Sequence, residues 1–123
     1  FYYGIFLPHR NHWGSLSQRE KGALLEQHAS RQWEYFCRGL FPGSGRYWEK
    51  GVEIDLVGRL KGKRRPIVAE CKWSWLGGRE EKRLLANLKT RFSETDLARK
   101  LAQPVFRVFS KKDLGRLIFP SRL

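Results

Sequence analysis

Asp55, Glu70 and Lys72 form the pattern D-x14-E-x-K, two carboxylates and an ammonium with a short basic stretch between them. Glu70 and Lys72 are two residues apart, so on a strand both side chains leave one face while Cys71 and Trp73 leave the other. If the strand bearing Asp55 pairs with the strand bearing Glu70, the two carboxylates come side by side. At about 4 Å and an effective dielectric of about 20 they repel by about 4 kcal/mol, and a cation must offset that. A few hard oxygen ligands suit Mg²⁺ (or Mn²⁺), which keeps water and substrate phosphate in its other positions. Such an ion activates water and stabilises the leaving oxygen of a phosphodiester, while the lysine orients the nucleophile or neutralises charge. Asp55 and Glu70 are the metal ligands on this reading. The plain alternative at the same spacing is a surface ion pair between Glu70 and Lys72 beside a solvated Asp55. Glu53, two residues before Asp55, shares its face by the same period and reads as an auxiliary or ion-pairing acid.

The elements that must hold these groups are legible from periodicity. Ser17-Gln18-Arg19-Glu20 has the S-x-x-E form of a helix capping box, and Leu25, Ala29, Trp33, Phe36 and Leu40 then fall within about 80° of one another at about 100° per residue. Phe41-Pro42-Gly43-Ser44-Gly45 supplies the stop. Val52, Ile54 and Leu56 alternate with Glu53, Asp55 and Val57 as a strand, residues 58–66 form a turn or hairpin tip, and residues 67–73 form a second alternating strand. Gly77-Gly78 ends it. Residues 80–92 carry Leu84, Leu85, Leu88 and Phe92 on one helical face, a short helix runs to about residue 100, Pro104 introduces a strand over 105–109, and residues 112–117 form a last helical turn. The coarse order is α-β-β-β-α-(α)-β-α, an α/β arrangement.

The tip carries Arg59, Lys61, Lys63, Arg64 and Arg65, five cations in seven residues between the two candidate strands. They are the expected nucleic-acid-binding residues, placed to track a phosphate backbone. The alternative is a solvated turn. The whole chain has the same bias: 25 Lys and Arg against 12 Asp and Glu give a formal net charge of +13 over 123 residues. Such a surface attracts polyanions, and DNA is the expected partner. The length is that of one domain with a real core.

The longest apolar runs are far short of the roughly 20 residues that cross a bilayer, so no membrane association is expected. No secretory signal is visible. Cys37 and Cys71 lie 34 residues apart with no zinc spacing, which suits free thiols in a reducing compartment. A cytoplasmic location is expected on these grounds. The opening FYYGIFLPHR begins on Phe1 and reads like the interior of a longer polypeptide; residues 1–16 are taken as a lead-in segment and 17–123 as the domain. Gly58-x-x-x-Gly62-Lys63-Arg64 is one spacer short of a phosphate-binding loop and has Arg where Ser or Thr must bind Mg²⁺. His9 and His12 are too few for a metal site, and His28 reads as a helix-surface residue. Trp48, Trp73 and Trp75 suit either base stacking or strand packing.

Residues 45–58 (GRYWEKGVEIDLVG) followed by residues 67–74 (IVAECKWS) resemble the PD-(D/E)XK nuclease-like domain at the C-terminus of archaeal and bacterial AAA-type ATPases. FYYGIFLPHR resembles the aromatic segment leading into that domain. The resemblance implies a restriction-endonuclease-like core, a mixed β-sheet flanked by helices, with Asp55, Glu70 and Lys72 at the acid, acid and lysine positions. Ile54 stands where the superfamily's namesake proline would be. The implied activity is Mg²⁺-dependent endonucleolytic hydrolysis of DNA phosphodiesters, with an upstream ATPase and winged-helix region in the same polypeptide. A catalytically silent DNA-binding or regulatory module is the alternative, and a protein-interaction domain is a third. The resemblance also implies a further acid from the first helix, either Glu26 or Glu34. Glu26 lies about 60° from the centre of the apolar stripe and Glu34 about 140°, which favours Glu26 as the fourth catalytic residue and turns Glu34 to water.

Overall fold

The computed structural model describes residues 13–60 and 65–118. Most of the lead-in segment lies outside them, as do Lys61, Lys63 and Arg64 at the tip. After a 3-10 turn at Trp13–Ser15, helix α1 spans Gln18–Gly39. Its start is the predicted capping box: the Glu20 amide donates to Ser17 Oγ at 3.0 Å and the Ser17 amide donates to Glu20 Oε1 at 3.1 Å. Strands β1 (Gly45–Glu49), β2 (Val52–Arg59) and β3 (Pro66–Cys71) come next, then α2 (Gly78–Ser93), the short α3 (Leu97–Lys100), β4 (Val105–Phe109) and, after a 3-10 turn, α4 (Leu114–Ile118). Lys50 and Gly51 join β1 to β2 with φ of 49° and 82°, the left-handed conformation of a tight two-residue hairpin that glycine adopts without steric cost.

The sheet order is β1-β2-β3-β4, antiparallel through β3 and parallel between β3 and β4. The parallel pair requires a crossover, and α2 provides it. The sheet is therefore mixed and flanked by helices, the expected α/β class. β3 is buried on both faces: Ile67, Ala69 and Cys71 join Trp33 and Cys37 of α1 in one core cluster, while Val68 joins Leu88 and Phe92 of α2 in the other. Trp33 locks the first cluster, its Nε1 donating to the Phe109 carbonyl at 3.1 Å.

Two local expectations are corrected. The alternation of Val52, Ile54 and Leu56 does not persist, because Ile54 packs in the α2 cluster and Leu56 in the α1 cluster. Tyr47 pairs with Ile54 and Gly45 with Val57, so one residue of β1, Arg46, faces two of β2, Asp55 and Leu56. This is a β-bulge, which adds a residue to one strand and re-aims the side chains beyond it. The buried face of α1 is also turned from its predicted centre. Trp33 and Cys37 are its buried residues and Leu25 is exposed, and Cys37 packs with Trp33 against Ile67, Ala69 and Cys71 of β3.

Candidate active site

Asp55, Glu70 and Lys72 line one cleft of about 400 Å³, together with Glu26, Ser30 and Glu34 from α1 and residues 71, 73 and 74 at and beyond the end of β3. The sheet opens there. The β2–β3 ladder runs from Arg59↔Pro66 to Leu56↔Ala69, and the next cross-strand position would be Asp55 opposite Glu70. At that point the bulge turns β2 aside, while β3 continues along β4, the Lys72 amide donating to the Phe109 carbonyl at 2.8 Å. Asp55 spans the gap with its side chain: Oδ2 accepts from the Cys71 amide at 2.9 Å. Arg38 of α1 donates to the Asp55 carbonyl at 3.2 Å and lies 3.7 Å from Glu34 Oε2. A bulged strand leaves backbone groups without ladder partners, and Arg38 satisfies one of them.

The local electrostatics are set by burial. Desolvation pushes the Glu70 carboxyl above the ordinary glutamate value; the Asp55 charge adds to this, and the Arg91 and Lys72 cations oppose it. Arg91, from α2, donates to Glu70 Oε2 at 2.6 Å and to the Glu53 carbonyl at 2.8 Å. The Glu34 carboxyl is also raised, first by burial and then by the charge on Asp55. Glu53 forms an ion pair with Arg46 on the outer part of the sheet, the ion-pairing role expected for it.

Glu26 lines the cleft, and Glu34, expected to face water, lines it too. Its side chain is 23% exposed, and it is the helix acid whose ionisation responds to Asp55. With the helix face centred near Cys37 instead of the larger apolar residues, Glu34 falls about 60° from that centre, at the border of the packed surface. Glu26, Ser30 and Glu34 thus form one row at intervals of four residues, all lining the cleft.

The tip is only partly described. Arg65 donates from Nε to the Gln103 carbonyl at 2.7 Å, tying the tip to the loop before β4, and Arg59 ends β2. Both sit at the opposite end of the β2–β3 ladder from Asp55 and Glu70. Lys61, Lys63 and Arg64 lie outside the described residues. Sequence reasoning missed Arg91. The usable signal was its place at about 60° from Leu88 on the predicted helix, at the edge of the face that meets the sheet.

The cleft carboxylates are hard oxygen donors, the kind that Mg²⁺ and Mn²⁺ take. Among the described residues, no group of three or more His, Cys, Asp or Glu side chains is arranged to hold a metal ion. Mg²⁺ commonly takes one or two carboxylates and completes its shell with water and phosphate; Asp55 and Glu70 are the two cleft carboxylates that come from strands. No helix among the described residues is long and apolar enough to cross a membrane.

A family model for archaeal and bacterial proteins of unknown function, DUF234, matches residues 16–84, more than half of the chain and all of α1, β1, β2 and β3. The matched stretch contains every acid of the cleft and Lys72. No curated protein and no solved structure matches the chain.

Proposed function

We propose that this chain, which belongs to the DUF234 family, is a restriction-endonuclease-like domain that hydrolyses DNA phosphodiesters with Mg²⁺ or Mn²⁺. The observation that carries the reading is the convergence of Asp55 from β2, Glu70 from β3 and Lys72 just past the end of β3 on one cleft where the β2–β3 ladder ends. The net charge of +13 supports a polyanionic substrate. On the resemblance drawn from the sequence, the domain is the C-terminal module of a cytoplasmic ATPase that also carries a winged-helix region.

Asp55 and Glu70 would hold the metal, which when bound supplies positive charge against the charge developing on the phosphodiester. Asp55 is preoriented by the Cys71 amide, and Glu70 is aimed by Arg91. Lys72 is exposed on the cleft wall, where its ammonium can orient a water or neutralise a phosphate oxygen. Glu34, whose carboxyl holds its proton more readily than an ordinary glutamate, can accept or return a proton at the cleft's helical wall. Glu26 lines the same wall nearer the start of α1.

Nicking of supercoiled plasmid in Mg²⁺, Mn²⁺ or EDTA tests the proposal. The wild type nicks only with metal, Asp55→Asn and Glu70→Gln abolish nicking, and Lys72→Ala lowers it at least about 100-fold, within the span of a general acid–base or electrostatic group. Nicking that survives Asp55→Asn refutes the assignment. A second reading, a catalytically silent DNA-binding module, is favoured by the Arg91–Glu70 ion pair, which already places a cation on a metal-facing carboxylate. DNA binding without metal-dependent nicking in the wild type selects it.

A further inference from the structure

Four of the described tryptophans divide sharply by environment. Trp33 is buried, and Trp73 packs on it with ring centroids 5.5 Å apart and Lys111 4.8 Å above its own ring. Trp48 and Trp75 are 74% and 73% exposed, and among the described residues neither ring meets another aromatic ring or a cation. An exposed indole offers a flat face on which a base can stack where a basic surface holds the strand's phosphates.

Each ring is placed by residues that lie at or near the acidic cleft. Trp75 is next to Ser74, a cleft residue whose carbonyl accepts from the Lys111 amide at 3.2 Å. Trp48 sits in the β1–β2 ladder opposite Glu53. On β1, Tyr47 packs toward α2, so Arg46 and Trp48 leave the other face, the one α1 covers farther along. Arg46 faces the bulge at Asp55 and Leu56 and is near enough to the cleft for its charge to act on Glu34. A hollow of about 380 Å³ lies beside Trp48, lined also by Arg46, Val52 and Glu53. Arg79 and Arg83, at the start of α2 four and eight residues after Trp75, line a second hollow with Gly77 and Glu80. Trp48 thus shares its hollow with Arg46, which is also paired with Glu53, and both rings stand on a strongly basic chain.

We infer that Trp48 and Trp75 are stacking platforms for unpaired bases, and that the cleft takes single-stranded DNA, or a single-stranded branch of it, in preference to continuous duplex. A duplex offers phosphates and base edges but keeps its base faces stacked on one another, so an exposed indole gains little from it. An unpaired strand presents those faces, and aromatic stacking beside a basic track is how such strands are held without sequence preference. The inference rests on the reading of the cleft as a DNA site and adds the strandedness of the substrate.

Fluorescence anisotropy in EDTA, with labelled oligothymidylate and a hairpin duplex of equal phosphate count, tests it in the Asp55→Asn background. Trp48→Ala and Trp75→Ala each weaken oligothymidylate binding about tenfold, the size of one lost stack, and leave duplex affinity unchanged. Trp48→Phe and Trp75→Phe recover most of the loss. Equal losses on both ligands, or none, overturn the inference. So does a wild-type dimer in sedimentation that Trp48→Ala dissolves without affecting oligothymidylate binding, because the exposed ring then belongs to a contact between copies. Because no metal is present in the binding assay, the two proposals fail separately. Ring-dependent single-strand binding without nicking by the wild type removes only the nuclease reading, and nicking with ring-independent binding removes only this one.

Discussion

Replacing Arg91 with alanine isolates the contact that joins α2 to the candidate site. Nη2 lies 2.6 Å from Glu70 Oε2, which puts the charge centres about 4 Å apart, and at an effective dielectric of about 20 the attraction is about 4 kcal/mol. The two side chains are 36% and 20% exposed, so water and salt screen the pair, and fully exposed pairs are worth about 1 kcal/mol or less. A coupling of about 2 kcal/mol lies between these limits. Arg91→Ala also removes the bond to the Glu53 carbonyl, worth about 1 kcal/mol, for a total loss of about 3 kcal/mol near neutral pH.

The pH dependence distinguishes the two parts. Glu70 has a raised pKa in the folded protein because burial disfavours its charge. Its contribution to stability is therefore fully present below the unfolded value of 4.5 and is lost as pH rises through the higher folded value. Arg91 opposes that rise, and without it the loss on ionisation is larger. Urea unfolding of the wild type, Arg91→Ala, Glu70→Gln and the double variant closes the cycle. The cost of Arg91→Ala falls from about 3 kcal/mol at about pH 7.5 to about 1 kcal/mol at about pH 4, where Glu70 is protonated. An equal cost at both pH values, with coupling to Glu70→Gln below about 0.5 kcal/mol, would refute the electrostatic account.

Two further outcomes are set by the packing. A Cβ at Gly58 would fall 2.6 Å from Ser44 Cβ, so Gly58→Ala costs about 1–3 kcal/mol in urea unfolding, and Ser44→Gly in the same chain recovers part of it; absence of recovery would show that the cost lies elsewhere. Cys37 and Cys71 are both buried free thiols, and the hydrogen bond with Cys37, together with burial, pushes the Cys71 thiol far above its ordinary value. Neither reacts with a thiol reagent at about pH 8 until the protein unfolds; a fast-reacting native thiol contradicts that environment.

Much of the framework was decided locally. The Ser17–Glu20 box begins α1 because both hydrogen bonds close within one turn. The alternation of Ile67, Ala69 and Cys71 against Val68 and Glu70 makes β3 a strand because a strand repeats every two residues whatever it packs against. The same period puts Glu70 and Lys72 together, and two strands joined by one short tip bring Asp55 to them. These relations span few residues and depend on backbone geometry alone.

What the tertiary structure decided depends on surfaces that meet from far apart in the chain. The bulge that places Asp55 at the gap appears only in the register of β2 against β1, and no residue type marks it. That Glu34 feels the charge on Asp55 turns on the rotation of α1, which shows only in which of its residues, Trp33 and Cys37, enter the core. Arg91 reaches Glu70 across 21 positions of sequence, from a helix whose place is fixed by Leu88 and Phe92 in the opposite core. Tryptophan has one hydropathy wherever it occurs, so its sequence could not separate Trp33 and Trp73, covered by the first core, from Trp48 and Trp75, which the fold leaves in water. Burial is a property of the neighbours that arrive, and only the packed chain determines which ones do.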